Sequence, residues 1–140
     1  MEAARSRLPK TVLFVSDRNS CRSQIAAAIF NRIANPSVAR AASAGIRPAK
    51  RVHPSLEPAL REIGIVVRAP APQLASPDQV AKAHVLITLG CGDSCPTSAA
   101  MRRDDWSLPE VSGPAIDDVR DVRHRIESLV RSLIAAKPWE

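Results

Sequence analysis

The segment Ser16-Asp17-Arg18-Asn19-Ser20-Cys21-Arg22-Ser23 gathers residue types that can hold a tetrahedral anion. It follows Thr11-Val12-Leu13-Phe14-Val15, a short apolar run that reads as a buried strand, and it precedes a helix-forming stretch. A loop between a strand and a helix N-terminus aims several backbone N–H groups at one centre, and the helix dipole favours negative charge there. Arg22, in the first helical turn, adds a planar fork able to grip two anion oxygens. Asn19 suits a left-handed turn in the loop. Ser23 can donate a hydrogen bond into its centre.

The other reactive side chains are three cysteines, Cys21, Cys91 and Cys95. An odd count without an apolar signal core argues against a structural disulfide framework and for reduced thiols. A C-x₃-C pair without a second pair is a weak zinc signal, so no metal is expected. His53 precedes a helix and suits a structural hydrogen bond. His84 and His124 fall at a strand start and on a polar helix face. Asp104-Asp105 and Asp117-Asp118 read as solvated carboxylates.

The elements that must position these residues alternate between strand and helix. Residues 1–10 read as a loose tail, 11–15 as a strand, and 22–34 as a helix with Ile25, Ile29 and Ile33 on one face. A second strand is expected over 38–44 and a helix over 55–63, with Gly64 closing it. Residues 65–75 are expected to be irregular, with a short helix from an N-cap at Ser76 to about Ala83. A third strand covers 85–89, a loop 90–101, and a short fourth strand lies near Asp105–Ser107. From Ile116 the spacing of Val119, Val122, Ile126, Val130 and Leu133 predicts a long helix that Pro138 ends. Such alternation predicts a single three-layer α/β domain with a four-stranded, mainly parallel sheet and helices on both faces. Segments 16–23 and 90–96 both leave carboxyl ends of expected strands, where ligands bind in such folds.

The chain has 140 residues, 45% of them hydrophobic and 24% charged, which suits one domain with one core. Its formal charge is +6, but Lys and Arg are spread out, with no basic run and no interleaved aromatics. That excludes nucleic acid as the expected partner and leaves small anions. Val12–Val15 and Val85–Leu89 are far too short to span a membrane, and the sequence predicts a cytoplasmic protein with no membrane partner.

The chain resembles the arsenate reductases of the low-molecular-weight tyrosine-phosphatase fold, of the thioredoxin-coupled type. The resemblance rests on Val12-Leu13-Phe14-Val15, Asn19-Ser20-Cys21-Arg22-Ser23-Gln24, Ser43-Ala44-Gly45, Val52-His53-Pro54, Glu62-Ile63-Gly64-Ile65 and Gly90-Cys91-Gly92-Asp93-Ser94-Cys95-Pro96. Trp106 and Leu108-Pro109 also fit. It implies a low-molecular-weight-phosphatase-like fold, an arsenate substrate and a thiol relay. A Cys at position 16 would attack arsenic held by the loop and Arg22. Cys91 would then attack that first thiol, and Cys95 would take over the disulfide. The resemblance implies no bound cofactor. The external reductant is thioredoxin or a low-molecular-weight thiol, since both would leave much of this pattern. Cys21 is expected to pack inside the cradle. The phosphatases of the same fold carry an Asp-Pro general acid before the last helix. Here that stretch reads Leu108-Pro109-Glu110-Val111, and Glu110 can protonate a leaving group from a longer side chain.

The departure from the family pattern is Ser16, where the nucleophilic Cys would stand. A hydroxyl is far harder to ionise than a thiol and forms no disulfide. The chain is therefore expected to bind arsenate, phosphate or sulfate without turnover. Two origins are open for Ser16: a substitution made to trap an oxyanion, and a natural pseudoenzyme binding phosphate or a phosphorylated partner through Arg18 and Arg22. A tyrosine phosphatase is the third reading; the absence of Tyr and the aromatic content of 3% count against it.

Overall fold

The computed structural model describes residues 8–97, 102–111 and 113–140. Four parallel strands, β1 (Lys10–Ser16), β2 (Ala39–Gly45), β3 (Val85–Thr88) and β4 (Arg102–Asp105), form one sheet in the order β2-β1-β3-β4. The helices are α1 (Arg22–Ile33), α2 (Leu56–Arg61), α3 (Pro77–Lys82) and α4 (Ile116–Ala136), with a 3₁₀ turn at Gly92–Ser94. The expected four-stranded parallel α/β architecture is what the chain forms.

β1 is central because its apolar run has no polar alternation, so both faces can be covered. Val12 and Phe14 point to one side, into a core shared with Ile25, Ile29 and Phe30 of α1 and Val119, Val122 and Ile126 of α4. Leu13 and Val15 point to the other, against Leu86 and Val80 of α3. Phe14 also meets Trp106, with ring centroids 5.5 Å apart. These two cores make the three layers. Ser76 caps α3 as its position suggests, its Oγ accepting from the Gln79 amide at 3.1 Å.

Two of the boundaries that differ from the sequence reading bear on the sheet. Lys10 belongs to β1 rather than to the tail, because its amide donates to the Val38 carbonyl. Most of that tail, residues 1–7, lies outside the described residues, as does the end of the expected 90–101 loop. The fourth strand is Arg102–Asp105 rather than 105–107. It pairs in parallel with Val85–Thr88, and its four charged residues are exposed as they can be only at a sheet edge. The other edge, β2, is closed by side chains. Asn31 donates to the Ala41 carbonyl and accepts from its amide, and Gln73 donates to the Ser43 carbonyl. Gly45 pairs with the backbone of Gln73 and Ala75. Among the described residues no helix is long and apolar enough to cross a membrane.

Candidate active site

The 16–23 loop joins the carboxyl end of β1 to the N-terminus of α1. Its first residue, Ser16, is 2% exposed. Ser16 Oγ lies 2.7 Å from Ser23 Oγ and accepts from the Asn19 amide at 3.1 Å. Asn19 is in the left-handed region, with φ 54°. Its Nδ2 donates to Ser23 Oγ at 2.8 Å and to Ser43 Oγ at 3.0 Å, and its Oδ1 accepts from the Gln73 amide. Gln24 Nε2 donates to the Asn19 carbonyl and to the Pro70 carbonyl. The loop shape is thus held from behind by three elements: α1, β2 and the 70–73 segment. Gly45 allows the close approach, since a Cβ there would stand 2.9 Å from Asn19 Cβ.

Arg22 is buried, and its Nη1 donates to the Leu89 carbonyl at 2.6 Å and the Leu108 carbonyl at 3.1 Å. Among the described residues Nε and Nη2 have no hydrogen-bond partner, which leaves one side of the fork uncommitted. Burial pulls the Arg22 guanidinium below its ordinary pKa, and Glu110 opposes that pull. Gly90, at φ 78°, supplies the turn beside this contact; a Cβ there would meet the Leu108 carbonyl oxygen at 3.1 Å and Arg22 Nη1 at 3.2 Å.

A cavity of about 10 Å³, the space of roughly one water, is lined by Ser16, Arg18, Ser20, Cys21, Arg22, Glu110 and Val111. Five of the eight loop residues therefore face it. Asp17 turns away, its two carboxylate oxygens accepting from Arg47 at 3.1 and 3.2 Å. Asn19 and Ser23 act from behind. Arg18 and Glu110 form a loose exposed pair, 3.8 Å apart, across the mouth. Cys21 is buried, and burial pushes its thiol up to about 12, with Arg22 pulling the other way.

Cys91 and Cys95 are joined as a disulfide across a Cα–Cα distance of 5.1 Å. The sequence reading had them as reduced thiols; the 3₁₀ turn at Gly92–Ser94 folds the chain back to a spacing that a disulfide bridges. Both are half-buried on an otherwise exposed turn. Leu89, which accepts from Arg22, precedes Gly90-Cys91 directly, so the cradle and the cysteine turn share a backbone contact.

His53 is structural in its contacts: Nδ1 accepts from the Ser55 amide, and Nε2 lies 2.7 Å from the Gly113 carbonyl. Asp105 differs from the sequence reading. It is not simply solvated, because its Oδ1 accepts from the Thr88 hydroxyl and the Gly90 amide. Ser43, Gln24 and Gln73 were missed as cradle supports. Only the Ser43-Ala44-Gly45 and Ser23-Gln24 matches could have flagged two of them.

The low-molecular-weight phosphotyrosine protein phosphatase family matches residues 11–137. The chain belongs to that family. The Synechocystis glutaredoxin arsenate reductase is 33% identical over 132 residues, covering 90% of this chain and 97% of that one. The thioredoxin-dependent arsenate reductase of Corynebacterium glutamicum superposes with a TM-score of 0.80 at 29% identity. That match covers 97% of this chain, which spans 65% of the Corynebacterium protein's length. An arsenate reductase in a phosphate-binding state gives 0.76 at 30% identity, covering 91% of this chain and 98% of the other. This phosphatase-family chain thus has arsenate reductases among its relatives.

Proposed function

We propose that this chain is an oxyanion-binding protein built on an arsenate-reductase scaffold, with Ser16 arresting it at binding. The observation that carries the reading is the Arg22–Leu89 contact, which sets an anion cradle directly against a cysteine pair. A purely anion-binding domain has no use for that pair. The relatives named as a thioredoxin-dependent arsenate reductase and a glutaredoxin arsenate reductase point the same way.

In the relay, a thiolate at position 16 attacks As(V) and displaces water or hydroxide. A second thiolate, at Cys91, then attacks that sulfur. The S–S bond forms as the S–As bond breaks, and arsenic leaves as As(III) with the electron pair. Cys95 next attacks Cys91, giving the Cys91–Cys95 disulfide and freeing the first thiol. An external dithiol or low-molecular-weight thiol returns two electrons. Ser16 can at most exchange oxygen with arsenate, because no electron pair passes through an O–As bond without sulfur. Cradle binding survives in this reading, because Arg22 and the N-terminus of α1 stand at the loop that follows β1. Glu110, at the mouth, is the candidate proton donor to the departing oxygen. The seven residues around the small cavity include no aromatic side chain to sandwich a phosphotyrosine ring, which counts against the phosphatase reading.

Calorimetry with arsenate and sulfate, with turnover assayed on the chain and on Ser16→Cys with thioredoxin, tests the reading. Binding without turnover, and arsenite formation on restoring the thiol, is the expected result. Binding that persists with no turnover after Ser16→Cys would instead favour a binding protein for a phosphorylated partner.

A further inference from the structure

A second concavity, of about 520 Å³, lies on the far side of the cradle's supports, between α1, the outer face of β2 and the 65–73 segment. Its size falls within the usual range for small-molecule sites. Leu60, Ile65 and Val67 give it an apolar wall, extended by small alanines of α1 and β2 that keep it open. Arg32, Arg40 and Arg68 also line it, and among the described residues no carboxylate does. Among the described residues none of these three arginines is in an ion pair. Arg40 Nη1 donates to the Asn31 carbonyl at 3.2 Å. The nearby Glu57 lies outside the lining, and its Oε2 accepts from the Ala69 amide.

Some other arginines of this chain meet carboxylates, Arg47 with Asp17, Arg120 with Glu62 and Asp117, Arg131 with Glu127, while Arg51, Arg61 and Arg125, like Arg32, Arg40 and Arg68, are in no ion pair among the described residues. Three that lack one, around an apolar wall, make a site with a defined sign of charge. Val66 beside it is 80% exposed, an apolar side chain left in water at the rim. We propose that this groove binds a small organic acid. The apolar body lies against Leu60, Ile65 and Val67, and the anionic head is held by the arginines, whose guanidinium forks suit a carboxylate or sulfonate. The groove also touches Gln24 and Gln73, the residues that hold Asn19, so the acid sits one hydrogen bond behind the oxyanion cradle. The proposal stands whether or not the cradle binds arsenate.

The probe is 8-anilinonaphthalene-1-sulfonate, titrated by fluorescence into the folded chain, with octanoate and 1-octanol as competitors. Saturable one-to-one binding is expected, displaced by octanoate at least tenfold more effectively than by octanol. Arg68→Glu and Arg32→Glu should each weaken binding roughly five- to tenfold. Both positions are exposed, and near-ultraviolet circular dichroism from Trp106 and Trp139 confirms that each variant is folded. The proposal is overturned by the absence of saturable binding, by equal displacement with octanol, or by unchanged affinity in both folded variants.

Discussion

Arg22 Nη1 lies 2.6 Å from the carbonyl oxygen of Leu89, the residue before Gly90-Cys91. One cation therefore lines the proposed anion cradle and ties down the backbone of the cysteine turn. A Lys at this position keeps the charge but presents a single ammonium, which cannot serve both directions at once. Arg22→Lys is expected to weaken sulfate binding by roughly ten- to a hundredfold in calorimetry. It should also raise the rate at which the reduced Cys91 thiol is alkylated, because the Leu89 tether is lost.

Asn19 is the hub behind the loop. Its side chain makes three hydrogen bonds, to Ser23, Ser43 and the Gln73 amide, and its backbone holds φ 54°. Ala can do neither, so Asn19→Ala should cost about 2–4 kcal/mol in urea denaturation. Asn19→Gly restores the backbone freedom alone and should recover only part of that loss.

Gly45 has its own requirement, independent of its backbone angles. A Cβ there would lie 3.0 Å from Arg18 C and Asn19 N, both backbone atoms that no rotamer change can move. Gly45→Ala should therefore push the loop outward. We expect destabilisation of about 1–3 kcal/mol and weaker sulfate binding in the same variant. Unchanged affinity would show that the cradle tolerates the shift.

The parts legible in the sequence were those with a periodic or local signal. The unbroken apolar run of β1, the helical spacing of α4 and the Ser76 cap each belong to a few consecutive residues. The loop was legible because Arg22 and Ser23 stand at a fixed distance from the end of β1. What stayed hidden depends on chain segments that meet only in the fold. Gln73 reaches Asn19 and Ser43 across a Pro-rich segment with no pattern of its own. Asp105 reads as one of two adjacent surface acids until β4 pairs with β3 and brings it to Thr88. The charged Arg102–Asp105 strand has no apolar alternation, because an edge strand needs none.

Cys21 should be chemically silent. It is buried beside Arg22, and burial raises its thiol to about 12, so almost no thiolate exists at neutral pH. After reduction of the Cys91–Cys95 disulfide, a thiol reagent at pH 7.5 should label two cysteines rapidly. The third should react only on the timescale of unfolding, or at once in guanidinium. Three fast thiols in the native protein would remove Cys21 from the buried position described.

Glu62 links the end of α2 to α4, and it gives the fold an acid limit. Its carboxylate accepts from Arg120 and from Arg123 Nη1, which also donates to the Ala59 carbonyl. These hydrogen bonds, Arg120's first, hold the carboxyl down at about 2. The unfolded chain binds its proton near the ordinary value of 4.5, so between these limits the unfolded state carries more proton than the folded one. The contribution is thus complete above about pH 4.5 and is lost as the pH falls towards 2. Arg120 stays charged throughout, so the carboxylate alone sets the window. Melting temperatures measured from pH 5 to pH 2 should fall more steeply for the native chain than for Glu62→Gln. That variant keeps the side-chain length but has no titrating group, so it should start less stable at pH 5 and converge with the native chain near pH 2. Parallel curves would mean that the Glu62 contacts contribute nothing that depends on its charge.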